Sequence, residues 1–103
     1  MTNTETAALI ADQLAGGFNK IAAMVGGRDF MAGPGALQFK FMRTERTKAN
    51  ACRIEINSAT DLYTVTFHRV AGTKVTKLGE FEGVFCGDLR AIFEKFTGLA
   101  LGF

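Results

Sequence analysis

The chain has 103 residues, of which 48% are apolar and 21% charged, a composition ordinary for a globular domain and too rich in apolar residues for a disordered tail. No apolar run approaches the roughly 18–20 residues that a membrane-spanning helix needs, so no membrane association is expected. A net charge of +2 excludes a uniformly basic or acidic protein, and one His with two separated Cys supplies no metal-ligand set, so neither metal nor other cofactor is expected.

Residues 1–103 read as a single α+β domain. Thr2 and Glu5 stand at capping-box spacing, and Ala7, Ile10, Ala11 and Leu14 follow at three- and four-residue intervals, which predicts a helix that Gly16-Gly17 stops. A second short helix is expected over Phe18 to Val25, closed by Gly26-Gly27. Residues 28–35 read as a loop because Gly33-Pro34-Gly35 punctuates them. A β-meander follows. Leu37, Phe39 and Phe41 alternate with polar neighbours, and after the polar stretch Thr44 to Asn50 so do Cys52, Ile54 and Ile56. Asn57-Ser58 and Asp61 mark a turn before Tyr63, Val65 and Phe67, and Ala71-Gly72 marks the next. A fourth strand is expected to begin at Val75 and to resume after Gly79 through Phe81 to Phe85. The final helix carries Leu89, Ile92, Phe93 and Phe96 on one side, with Asp88 as N-cap and Gly98 as C-cap. The expected fold is therefore an antiparallel β-meander of about four strands, with an N-terminal helix or two short helices and a C-terminal helix packed on one face.

Charge is unevenly placed along this plan. Between Lys40 and Lys77 stand eight of the twelve Lys and Arg residues and three carboxylates, whereas the remainder holds four cations and seven carboxylates. Turning the apolar strand positions inward sends Gln38, Lys40, Arg53, Glu55, Thr64, Thr66, His68, Lys74 and Thr76 outward. That face suits phosphate oxygens, and Arg43, Arg46 and Lys48 add a basic loop. Phe39, Phe41, Tyr63 and Phe67 turn inward in this register, leaving no ring to stack on an unpaired base.

Catalytic signals are thin. His68 has only Glu55 as a carboxylate neighbour on its face, and an exposed strand histidine is ordinarily inert. Cys86 precedes a helix N-terminus, but a small residue at a strand–helix junction explains it as well. Gly26-Gly27-Arg28 and Gly33-Pro34-Gly35 lack the Gly-Lys-Ser/Thr of a phosphate-binding loop. No catalytic residue is assigned.

Several stretches carry a wider resemblance. They are Phe18-Asn19-Lys20-Ile21-Ala22-Ala23-Met24-Val25-Gly26, Arg28-Asp29-Phe30, Leu37-Gln38-Phe39-Lys40-Phe41, Lys48-Ala49-Asn50, Asp61-Leu62-Tyr63-Thr64-Val65-Thr66-Phe67, Gly72-Thr73-Lys74, Phe93 and Thr97-Gly98-Leu99. Together they resemble a family of short uncharacterised proteins encoded by tailed bacteriophages and prophages. The resemblance implies a virus-encoded protein acting in the bacterial cytoplasm, and it implies no activity. Two free thiols and the absence of a basic, secretory-type start at Met1 to Glu5 agree with that compartment.

The expected function is non-enzymatic association with nucleic-acid backbone through Lys40, Arg43, Arg46, Lys48, Arg53 and Lys74. The alternative is a protein-binding module that inhibits or redirects a host enzyme. Either is compatible with a homo-oligomer formed through the apolar tail Leu99-Ala100-Leu101-Gly102-Phe103.

Overall fold

The computed structural model describes residues 2–42 and 48–101. Helix α1 (Asn3–Ala15) starts on the expected capping box: Glu5 N–H donates to Thr2 Oγ1, and Thr2 N–H donates to Glu5 Oε1, both at 3.1 Å. The Thr2 backbone N–H, and then the Thr2 side chain, hold the exposed Glu5 carboxyl below its ordinary pKa. Gly16, at φ 89°, takes the left-handed cap conformation that a side chain would oppose, and the chain turns directly into α2 (Phe18–Val25).

Five strands follow where four were expected: β1 (Arg28–Gly33), β2 (Ala36–Lys40), β3 (Ala51–Asn57), β4 (Leu62–Ala71) and β5 (Lys74–Val84). They form one antiparallel meander in the order β1-β2-β3-β4-β5. The additional strand is β1, in the segment read as a loop. Its periodicity is hidden because it is an edge strand with a bulge between Arg28 and Met31, and only Phe30 turns towards the core. Gly33-Pro34-Gly35 is thus the hairpin turn between β1 and β2, with Gly35 at φ 66°. Strand β5 is continuous. Bulges opposite Phe67/His68 and Tyr63/Val65 absorb the irregularity that suggested two pieces.

Leu37, Phe39, Cys52, Ile54, Tyr63, Val65 and Phe67 are buried on one face, against Ile10 and Leu14 of α1 and Phe93 of α3 (Leu89–Thr97). Phe93 stands at the centre, its ring 5.1 Å from Phe41 and 6.0 Å from both Phe39 and Phe67. Truncating it to Ala would cost about 3–5 kcal/mol, a large share of the stability of a domain this size. The expected stripe of α3 is present, with Leu89 and Phe93 buried and Ile92 and Phe96 half-buried. Asp88 makes no side-chain cap; a 3₁₀ turn over Cys86–Asp88 feeds the helix instead.

Polar ties fix the layers. The Tyr63 hydroxyl donates to Gln13 of α1, and Met42 N–H donates to Val25 O at 2.8 Å, joining α2 to the exit of β2. After α3 the chain folds back: Leu101 N–H donates to Glu94 Oε2 at 2.8 Å, and the Leu101 side chain is fully buried. The described part of the apolar tail therefore lies on the protein's own core, which argues against its serving as an exposed contact for a second copy.

Candidate functional site

The ladder register decides where the cations stand. Lys40 pairs with Arg28 on one side and with Ala51 on the other, and Ala51 pairs in turn with His68, which pairs with Lys77. Arg28, Lys40, His68, Arg69, Lys74 and Lys77 consequently gather at one end of the sheet. Asn50 ties Lys48 to the same end. Its side-chain Nδ2 donates to Val70 O at 3.0 Å, and its Oδ1 accepts from Val70 N–H at 2.7 Å. Its backbone N–H donates to His68 O at 3.0 Å, so residues just before β3 run beside the end of β4. Among the described residues, the carboxylates at this end are Asp29 and Glu80, the latter beside Lys77. Glu55, Asp61 and Glu82 lie towards the opposite end, where Glu55 faces Ala36 and Thr64. The basic middle segment of the sequence becomes a polarised sheet.

Among the described residues, the cations differ in what they face. Lys40 lies 3.6 Å from Asp29, Arg53 3.1 Å from Glu55 and Lys77 2.6 Å from Glu80. Arg53 also donates to Gln38 Oε1 at 3.4 Å. These pairs are exposed, so each is worth no more than about 1 kcal/mol and yields readily to a stronger anion. Arg28, Lys48, Arg69 and Lys74 have no carboxylate within ion-pair distance among the described residues.

Lys74 and Thr76 were expected beside Lys40 and Arg53, and here the structure corrects the sequence. Lys74 pairs with Ala71 and Thr76 with Arg69, on the side to which Phe67 also turns, because the extra residue Leu78 reverses the alternation in β5. Past the end of α3 this side is uncovered. Arg69, Ala71, Lys74 and Thr76 line a shallow depression of about 180 Å³ near the tip of the β4–β5 hairpin. The structure therefore brings Lys40 and Arg53 together on the open face and seats Lys74 with Arg69 around the edge. Arg43 and Arg46 lie outside the described residues. Two participants were missed: Arg28, hidden in the presumed loop, and Arg69, which plain alternation along β4 turns to the side of Phe67.

The open face carries Gln38, Lys40, Arg53, Thr64, Thr66 and His68, as expected from alternation. Phe39, Phe41, Tyr63 and Phe67 are buried on the other side. Among the described residues the face offers no phenyl or phenol ring to a base. Burial, and then the charges of Lys77 and Arg53, push the His68 pKa down, so the imidazole is neutral at pH 7. Glu55 is four rungs away along β3 and engaged by Arg53, so no acid–base pair forms with His68. Cys52 is buried, and burial drives its thiol pKa far up; Cys86 is exposed and free. No group of three or more His, Cys, Asp or Glu side chains suited to a metal occurs among the described residues, and no helix there is long and apolar enough to cross a membrane.

Compared with protein-family models, with curated proteins and with solved structures, the chain shows no match.

Proposed function

We propose that this is a small non-enzymatic protein that associates with the backbone of nucleic acid through the cationic end of its sheet. In line with the resemblance in its sequence, we further propose that it is a phage-type factor acting in the bacterial cytoplasm. The observation that supports this reading is the gathering of Arg28, Lys40, Lys48, Arg69, Lys74 and Lys77 at one end, four of them without a carboxylate partner among the described residues. From β1 to β5 the sheet is about 19 Å wide, at roughly 4.8 Å per strand gap. A duplex carries one negative charge per ~1.7 Å of axis, so several phosphates come within reach of that width at once. With no phenyl or phenol ring on the open face among the described residues, binding is sequence-independent and rests on counterion release.

The test is an anisotropy titration of labelled duplex and single strands of unrelated sequence, across a series of salt concentrations. Binding is expected to all of them at low salt, with a dissociation constant that rises as a steep power of salt. Absence of binding at low salt and micromolar protein refutes the proposal. If an acidic host protein is then retained by the same cations, the alternative of a protein-binding module takes its place.

A further inference from the structure

We propose that the free edge of β5 is a homodimer interface, at which two copies pair antiparallel about a two-fold axis and join their sheets. The inference rests on the pattern of β5 and is independent of what the cationic end binds.

The two edges of the sheet are unlike. Strand β1 is short, at 6 residues, and carries Asp29 at φ 53°, features that discourage further pairing. Strand β5 has 11 residues, and its outer side pairs with nothing among the described residues. It also concentrates exposed apolar side chains: Val75 is 60% exposed, Leu78 38% and Phe81 37%, with Phe85 just beyond at 65%. Edge strands are usually guarded by an unneutralised Lys. At the centre of this edge the guard is cancelled, because Lys77 Nζ lies 2.6 Å from Glu80 Oε2, and Lys74 stands at the hairpin end of the strand.

The occupant is identified by charge. Both strand lysines, Lys74 and Lys77, lie before the bulge residue Leu78, and both glutamates, Glu80 and Glu82, lie after it. Two such strands running antiparallel set the basic half of one against the acidic half of the other. The bulge also selects the register. Ladder partners on β4 place Lys77 and Glu80 on the open face, and Thr76 and Phe81 on the covered face. A two-fold between Leu78 and Gly79 preserves this division at each of these rungs. It puts Lys77 opposite Glu80 of the second copy, Thr76 opposite its Phe81 and Leu78 opposite its Gly79. The interface is isologous, so each favourable pair occurs twice.

Sedimentation of the protein alone, over a concentration series into hundreds of micromolar, tests this. The wild-type chain is expected to reach a monomer–dimer equilibrium. Lys77→Glu makes the centre of the edge acidic and Glu80→Lys makes it basic, so each variant alone should dimerise roughly tenfold or more weakly. Mixed one to one, the two should form a heterodimer, since the cross-strand pairs are restored while the pair within each chain stays broken. Amide exchange on the wild type is the second measurement: β5 amides facing away from β4 should gain protection as concentration rises. A wild-type chain that stays monomeric overturns the proposal. So do single variants that dimerise unchanged, a mixture that fails to associate, or β5 amides that stay unprotected in the dimer.

Discussion

Replacing Arg69 and Lys74 together by Gln isolates the hairpin-tip part of the cationic end. Both line one depression, both lack a carboxylate partner among the described residues, and neither is buried, so their removal leaves no stranded charge and no cavity. The folded state should therefore lose no more than about 0.5 kcal/mol. Each phosphate contact contributes about 0.9 to the slope of log affinity against log salt on a duplex, so losing two should flatten the slope by about 1.8. Between low and fourfold higher salt, each contact is worth roughly a factor of 3 to 4 in affinity, and the pair roughly tenfold. The paired cations offer the comparison. Lys40→Gln and Arg53→Gln each free a carboxylate, Asp29 or Glu55, that then repels phosphate, so they should weaken binding at low salt by more than one contact's share. The assay is anisotropy of a labelled duplex at four or more salt concentrations, with a thermal melt of each variant as control. An unchanged slope in the Arg69→Gln/Lys74→Gln variant, with wild-type stability, would show that phosphates do not reach the hairpin tip and would refute this placement of the site.

The fold makes three further predictions. Gly79→Ala places a methyl 2.8 Å from Cε2 and 3.0 Å from Cζ of Phe96, whose ring stacks on Phe67 at 4.2 Å, so the ring cannot lift away without losing that contact. The cost should be about 1–3 kcal/mol, read as a melting temperature lower by roughly 4–8 °C per kcal/mol; an unchanged melt contradicts the packing described. His68 has a folded pKa below the ordinary imidazole value of 6.5, so its contribution to stability is complete above pH 6.5. As pH falls through 6.5 the unfolded chain takes the proton first, and stability declines until the folded imidazole also protonates. Urea melts from pH 7.5 to 5 should show this decline, and His68→Gln should remove that part of it. A thiol reagent should modify Cys86 in the native protein and reach Cys52 only on unfolding, because Cys52 is buried and its thiolate disfavoured. Equal rates for both thiols under native conditions would contradict the burial of β3.

The sequence by itself determined the elements whose signals are local. The Thr2–Glu5 box, the left-handed glycines at 16, 26 and 98, and the alternation of Leu37-Phe39-Phe41 and Tyr63-Val65-Phe67 each depend on neighbours a few residues away, and the structure contains them all. It also determined that the aromatic rings of the meander belong to the core and not to a binding face. Strand β1 was invisible because an exposed edge strand has little apolar face to display, and its hairpin looked like the end of a loop. Where the charges meet was decided only in the tertiary structure. Alternation assigns a face only while every residue advances the pleat by one step. The bulge at Leu78 breaks that rule and carries Lys74 and Thr76 to the other side. Cross-strand register then draws cations from β1, β2, β4 and β5 to one end of the sheet, across separations in the chain that no local pattern spans.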